Sequence, residues 1–193
     1  MFSIKAIFAR TLVALSLVVA AVPAALAGPI YQVAIDTTGQ ADARFLDLQF
    51  GALGSAEDAF ATITNLSGDF GAVELSNAVG DIATGFTIGN NSGFNAILFE
   101  LVQGGMIRFD VSFSTASTGD GTKFEVSLLD QDYGFLGANG PLVTIALMPG
   151  VGDALSIDSS LVSVTAVPEP ADWLLMATGL LMIGTMRRIQ ARR

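Results

Sequence analysis

Apolar and polar residues change places at every step through much of the middle of this chain, and that period decides what the chain can build. In Met106–Ser114 (MIRFDVSFS), Ile107, Phe109, Val111 and Phe113 fall on one face, with Arg108, Asp110 and Ser112 on the other. A period of two is that of a strand half buried on a sheet, and a helix of 3.6 residues per turn cannot reproduce it. Tyr31, Val33 and Ile35 alternate with Gln32, Ala34 and Asp36 in the same way. Phe45–Phe50 (FLDLQF) sets Leu46, Leu48 and Phe50 against Phe45, Asp47 and Gln49, and Phe124, Val126 and Leu128 share a face of Lys123–Leu129. The β-branched run Leu161–Val167 adds a further strand, and others are expected at Ala61–Leu66, Ala72–Ser76, Gly85–Ile88 and Leu142–Met148. Phe94–Val102 (FNAILFELV) reads equally as a buried strand or a short helix, which periodicity cannot separate.

Between these runs lie turn signals such as Ser67-Gly68-Asp69, Gly89-Asn90-Asn91-Ser92-Gly93, Thr118-Gly119-Asp120-Gly121 and Gly137-Ala138-Asn139-Gly140-Pro141. Residues 28–167 hold 19 glycines in 140 residues, about twice the ordinary usage of ~7%. Strands at regular spacing with turns between them predict a mainly β protein: a single antiparallel β-sandwich or jelly-roll-like domain over residues 28–166, with one wet face per sheet. At this size a domain buries roughly two thirds of its unfolded surface, enough for a core without disulfides, and the chain has no Cys with which to form one.

The two ends follow a different rule. Met1–Arg10 is short and basic, Thr11–Val22 is uncharged over twelve residues, Pro23 breaks a helix, and Ala25 and Ala27 supply the small residues of a signal peptidase site. This is the layout of a secretory signal peptide over 1–27, with cleavage expected after Ala27; an uncleaved anchor is the alternative. At the other end, Pro168-Glu169-Pro170 precedes fourteen uncharged residues, Trp173–Met186, and the chain closes on Arg187, Arg188, Arg192 and Arg193. An apolar helix followed by clustered arginines is a stop-transfer pattern. At 1.5 Å per residue it covers only roughly 21 Å of a hydrocarbon core about 30 Å thick. So short a span suits a temporary tether, with a permanent single-span anchor as the alternative. Charge follows the same division. Residues 28–167 carry sixteen acids and three bases (Arg44, Arg108, Lys123), a net of −13, while the whole chain stands at −9.

The C-terminal order of Pro168-Glu169-Pro170, short transmembrane helix and arginine-rich end resembles the PEP-CTERM sorting signal of Gram-negative, exopolysaccharide-producing bacteria. The resemblance covers residues 167–193. It implies that an exosortase, a membrane-embedded transpeptidase-like enzyme, recognises the tripeptide and cuts near it, so that the protein is released or passed to an extracellular acceptor. Tyr31–Thr37, Phe45–Phe50, Phe109-Asp110-Val111 and Leu128-Leu129-Asp130 also resemble a group of PEP-CTERM proteins, and no known activity comes with that likeness. The implied path runs through the inner membrane, with transient anchoring there, and ends extracellularly or on the cell surface. Signal peptidase, exosortase and the membrane are the partners it implies, with exopolysaccharide a further one.

Chemistry in the middle segment is confined to carboxylates and hydroxyls. Without His or Cys there is no Ser-His-Asp or Cys-His arrangement and no zinc site of those ligands. No Gly-rich loop has Walker spacing, and an acidic domain lacks the basic footprint of a nucleic-acid binder. Asp120, Asp130 and Asp132 stand beside flexible turns, where a structural Ca²⁺ could draw oxygens; ordinary Asx turns are the competing reading. Asn65-Leu66-Ser67 and Asn90-Asn91-Ser92 fit the glycosylation sequon and are read as chance turn sequences. Two function classes remain: a non-enzymatic component of the exopolysaccharide or biofilm matrix, and a carbohydrate-active module, either a lectin-like binder or a small carboxylate glycosidase. The only Trp lies in the C-terminal apolar run and the eleven Phe of residues 28–167 mostly alternate inward, which counts against stacking platforms for sugar rings.

Overall fold

The computed structural model describes residues 28–114 and 118–167, with 179, 180 and 183 besides. Thirteen strands fill the described part of the unit Ala27–Val167: β1 Ile30–Asp36, β2 Phe45–Ala52, β3 Phe60–Ser67, β4 Phe70–Ser76, β5 Ala78–Asp81, β6 Gly85–Gly89, β7 Ala96–Leu101, β8 Met106–Phe113, β9 Thr122–Leu129, β10 Phe135–Leu136, β11 Val143–Leu147, β12 Ala154–Ile157 and β13 Val162–Val167. They form two open antiparallel sheets. One runs β13-β1-β8-β3-β6-β5; the other runs β12-β11-β9-β2-β7-β4, with β10 added beside β9. Most consecutive strands change sheet, and all but two of those crossings, β4–β5 and β12–β13, run through a glycine.

The alternation sorts side chains as its period requires. Leu46, Leu48 and Phe50 are fully buried, as are Ile107, Phe109, Val111 and Phe113 within a few per cent. A single hydrophobic cluster draws on both sheets. Rings bridge it from one sheet to the other: Phe86 meets Phe99 edge-on at 5.3 Å, Phe113 meets Phe124 at 5.5 Å, and Phe50 meets Phe113 at 5.8 Å between centroids. Such pairs add about 0.5–1.5 kcal/mol each beyond the area they bury. Tyr31 is the polar-tipped member of this cluster; its hydroxyl donates to Asp153 Oδ2 at 2.7 Å. Burial, and then that carboxylate, raise the phenol well above its ordinary range.

Every buried side-chain nitrogen and oxygen among the described residues has a partner. Asn90 shows how: its Oδ1 accepts from the Ala59 amide at 2.8 Å, while its Nδ2 donates to the Glu57 carbonyl and to Thr122 Oγ1. Gly80 serves the β5–β6 hairpin for a steric reason. At φ 126° its missing Cβ would run into the Gly85 carbonyl and stand 2.8 Å from Phe86 Cα.

The ambiguous Phe94–Val102 stretch is strand from Ala96, paired on both sides with β2 and β4. Three strands lie outside the sequence expectations: β5, β10 and β12. The signal segment 1–27, with Ala25 and Ala27, lies outside the described residues. So do Pro168, Glu169, Pro170, Arg187, Arg188, Arg192 and Arg193, and the expected membrane helix except for 179, 180 and 183, which are helical. Among the described residues no helix is long and apolar enough to cross a membrane.

Candidate functional site

The alternation that sends Leu46, Leu48 and Phe50 inward turns Phe45, Asp47 and Gln49 to the outside of the seven-stranded sheet. Register then sets their neighbours. Phe45 lies between Glu100 and Leu129, Asp47 between Leu98 and Ser127, and Gln49 between Ala96 and Glu125. On the far side of β7, β4 places Glu74 opposite Leu98 and Ser76 opposite Ala96. Ala and Ser are too short to fill the space above the sheet. A groove of about 330 Å³ results, floored by Ala96, Ser76 and Leu98, with Asp47, Gln49 and Glu74 supplying its polar groups. That volume is at the lower end of what small-ligand sites occupy, about 300–1,000 Å³.

Three rings rim it, and none comes from the alternating part of a long strand. Phe94 (59% exposed) sits in the loop before β7, Tyr133 (60%) in the turn after β9, and Phe135 (53%) in the two-residue β10. Tyr133 is held with some force. Its φ of 61° is a left-handed conformation that bulky side chains rarely adopt. The turn imposes it: Asp130 Oδ1 accepts from the amides of Asp132 at 2.9 Å and Gly134 at 2.7 Å. The Asp130 amide donates to the Gly134 carbonyl, and the Tyr133 amide to the Asp130 carbonyl. The tyrosine ring then lies flat against Phe45, centroids 5.1 Å apart and planes 6° from parallel. An exposed ring is thus fixed in place before any ligand arrives.

Asp47 is the buried acid of the site, 7% exposed although it points outward. Gln49 Nε2 donates to its Oδ2 at 2.6 Å. Burial pushes its carboxyl above the ordinary carboxylate range, the Gln49 hydrogen bond pulls the other way, and the charge of Glu125 adds to the rise. Glu125 itself pairs with Lys123 at 2.9 Å. Among the described residues that line the groove, two are acids and none is a base. Such a surface accepts hydrogen bonds from hydroxyls and offers apolar ring faces, and it repels anions.

The three aspartates singled out from sequence are not brought together. Asp120 precedes β9, while Asp130 and Asp132 follow it; eight strand residues put roughly 25 Å between them. Asp120 Oδ2 accepts from the Ser55 amide at 2.9 Å and from Ser55 Oγ at 3.1 Å, and these bonds lower its pKa. Asp130 closes the Tyr133 turn, so the Asx-turn reading describes it. Among the described residues no three acids gather as a metal ion would need. Of the two sequons, Asn90 is buried and engaged on both ends of its amide.

Sequence reasoning placed Asp47 and Gln49 on the outward face of FLDLQF without joining them to a site. It does not single out Phe94, Tyr133 and Phe135, because phenylalanine reads as core by type and no periodicity marks a loop ring. Their signal was position beside turn residues: Gly93 before Phe94, Gly134 between the other two. Comparison with family models, with curated proteins and with solved structures finds no match to this chain.

Proposed function

We propose that this chain is an exported, non-enzymatic component of the cell surface or the extracellular polysaccharide matrix. Residues 1–27 direct export, residues 173–186 tether the protein transiently to the inner membrane, and an exosortase processes it at Pro168-Glu169-Pro170. The domain left outside is a single jelly-roll-like β-sandwich. The observation that carries this reading is the order of parts at the C-terminus, for which the fold leaves room. β13 ends at Val167, and a tether starting at Pro168 takes no residue from the sheets. Two prolines there also stop the strand from extending into the cleavage site. The test replaces Pro168 and Pro170 together by Ala in the full chain, expressed in an exopolysaccharide-producing Gram-negative host. The variant should accumulate in membranes at its uncut mass. Release at the wild-type rate would overturn the sorting assignment.

A second reading, the carbohydrate-active module, is favoured by the aromatic-rimmed groove around Asp47. Of its two forms the binder is the better supported. Of the two acids that line the groove, Asp47 is only 7% exposed and holds the Gln49 amide, which suits positioning a ligand better than attacking one. Incubation with soluble polysaccharides and assay of new reducing ends separates the forms: release of sugar that Asp47→Asn abolishes would make it a hydrolase.

A further inference from the structure

We infer that the groove on the seven-stranded sheet binds a neutral glycan chain, with Tyr133 and Phe135 stacking on the sugar rings and Asp47, Gln49 and Glu74 receiving their hydroxyls. The inference rests on the carbohydrate-binding reading and narrows it to one class of sugar and one set of contacts.

Four features point the same way. The rim offers three exposed rings around one small groove, and among polar biological ligands the sugars combine hydroxyls at the edge with apolar C–H faces that lie against aromatic rings. The Tyr133 ring is pre-set by the Asp130 turn and backed by Phe45, so little freedom remains to be lost on binding. Gln49 Nε2 donates to Asp47 Oδ2 at 2.6 Å, which fixes both side chains and leaves the second amide hydrogen and the carbonyl oxygen of Gln49 to meet neighbouring hydroxyls of a hexose. Charge then selects among sugars: with two acids and no base among its described lining residues, the groove disfavours uronate or sulfated chains, whose anions would lie against Asp47 and Glu74. The floor of Ala96 and Ser76 leaves room for rings to settle between the rim and the sheet.

Affinity electrophoresis of the full chain in a sugar-free zwitterionic detergent provides the test. The gels would contain a soluble β-glucan, a galactomannan, alginate or chitosan. Retardation is expected in one of the two neutral polysaccharides and absent in alginate. Tyr133→Asn should weaken it at least about tenfold. Asparagine accepts the left-handed backbone that tyrosine resists, which offsets the lost stack on Phe45, so this variant loses the ring while its melting temperature stays close to that of the wild type. Phe135→Ala is the second probe and should weaken binding in the same gel. Retardation only in alginate or only in chitosan would overturn the neutral class while leaving a carbohydrate binder. Retardation that neither variant changes would overturn the site. No retardation in any of the four would overturn the carbohydrate-binding reading itself, and the sorting assignment would stand apart from all of these results.

Discussion

The outer faces of the two sheets obey one alternation and end up as different surfaces. On the six-stranded sheet, register lines up Thr165, Gln32, Asp110 and Thr64 in one row and Ser163, Ala34 and Arg108 in another. These are mostly short and polar. Beside them, Asn65 Nδ2 donates to Asp110 Oδ2 at 2.7 Å. On the seven-stranded sheet the corresponding rows hold Ala96, Gln49 and Glu125, or Leu98, Asp47 and Ser127. What separates the two faces is the chain around them. The turn after β9 and the loop before β7 lift Tyr133, Phe135 and Phe94 over one sheet, while the outer face of the other carries a single exposed ring, Phe60, among its described residues. A period-two pattern therefore assigns faces, and loops decide which face can hold something.

Breaking the core should damage both faces alike. Phe99 is fully buried and touches Phe86 across the sheets and Phe70 beside it. Phe99→Ala is expected to cost about 3–5 kcal/mol, read as a lower urea midpoint with unchanged slope. Asn90→Ala should come next, at about 1–3 kcal/mol, because it strands the Ala59 amide in a buried place; Asn90→Asp would then recover the acceptor but not the donors.

The faces themselves should separate more finely. Tyr133→Asn is expected to stay within about 1 kcal/mol of the wild-type stability, relief of the left-handed backbone offsetting the lost Phe45 stack, while removing glycan retardation. On the opposite face Thr62→Ala should stay within about 0.5 kcal/mol and leave retardation intact. If Thr62→Ala weakened binding as much as the tyrosine change, the contrast between the faces would fail.

The smallest effect concerns pH. Burial raises the Asp47 carboxyl above its unfolded value. The native state then holds its proton longer, and the contribution of Asp47 to stability falls as pH rises from about 4 through the folded value. Hydrogen bonds lower Asp36, Asp81 and Asp120, which stabilise the fold above that region and lose their effect as pH falls below it. Asp47→Asn should therefore flatten the fall of the melting temperature as pH rises above the ordinary carboxylate value of about 4 and leave the acid limb untouched. An unchanged slope would mean that the carboxylate is better hydrated than its position indicates.

Much of this arrangement can be read in the residues, and the parts that cannot share one cause. FLDLQF, MIRFDVSFS and the strand around Phe124 declare their inner faces because each buries every second side chain. β12 has all four residues exposed and β5 has only Ala78 partly covered, so neither carries an alternating signal. β10 is two residues long. Phe94 and Phe135 are exceptions to the mostly inward phenylalanines, each standing next to a loop where burial does not follow type. Asp120 and Asp130 look close in sequence terms, ten positions apart, and an extended strand makes that distance the length of the domain face.

The first and last strands of the domain lie side by side, Ile30 opposite Val167 and Ile35 opposite Val162. β13 is an edge strand, and within it only Val162 is buried. A pull on the chain beyond Val167 would therefore load the rungs one at a time, as a zipper is opened from its end. Six residues peeled from β1 release roughly 20 Å of slack and uncover Val162 with the partly buried Val164. A load applied beyond Val167 would thus meet a compliant leash before it reached the core.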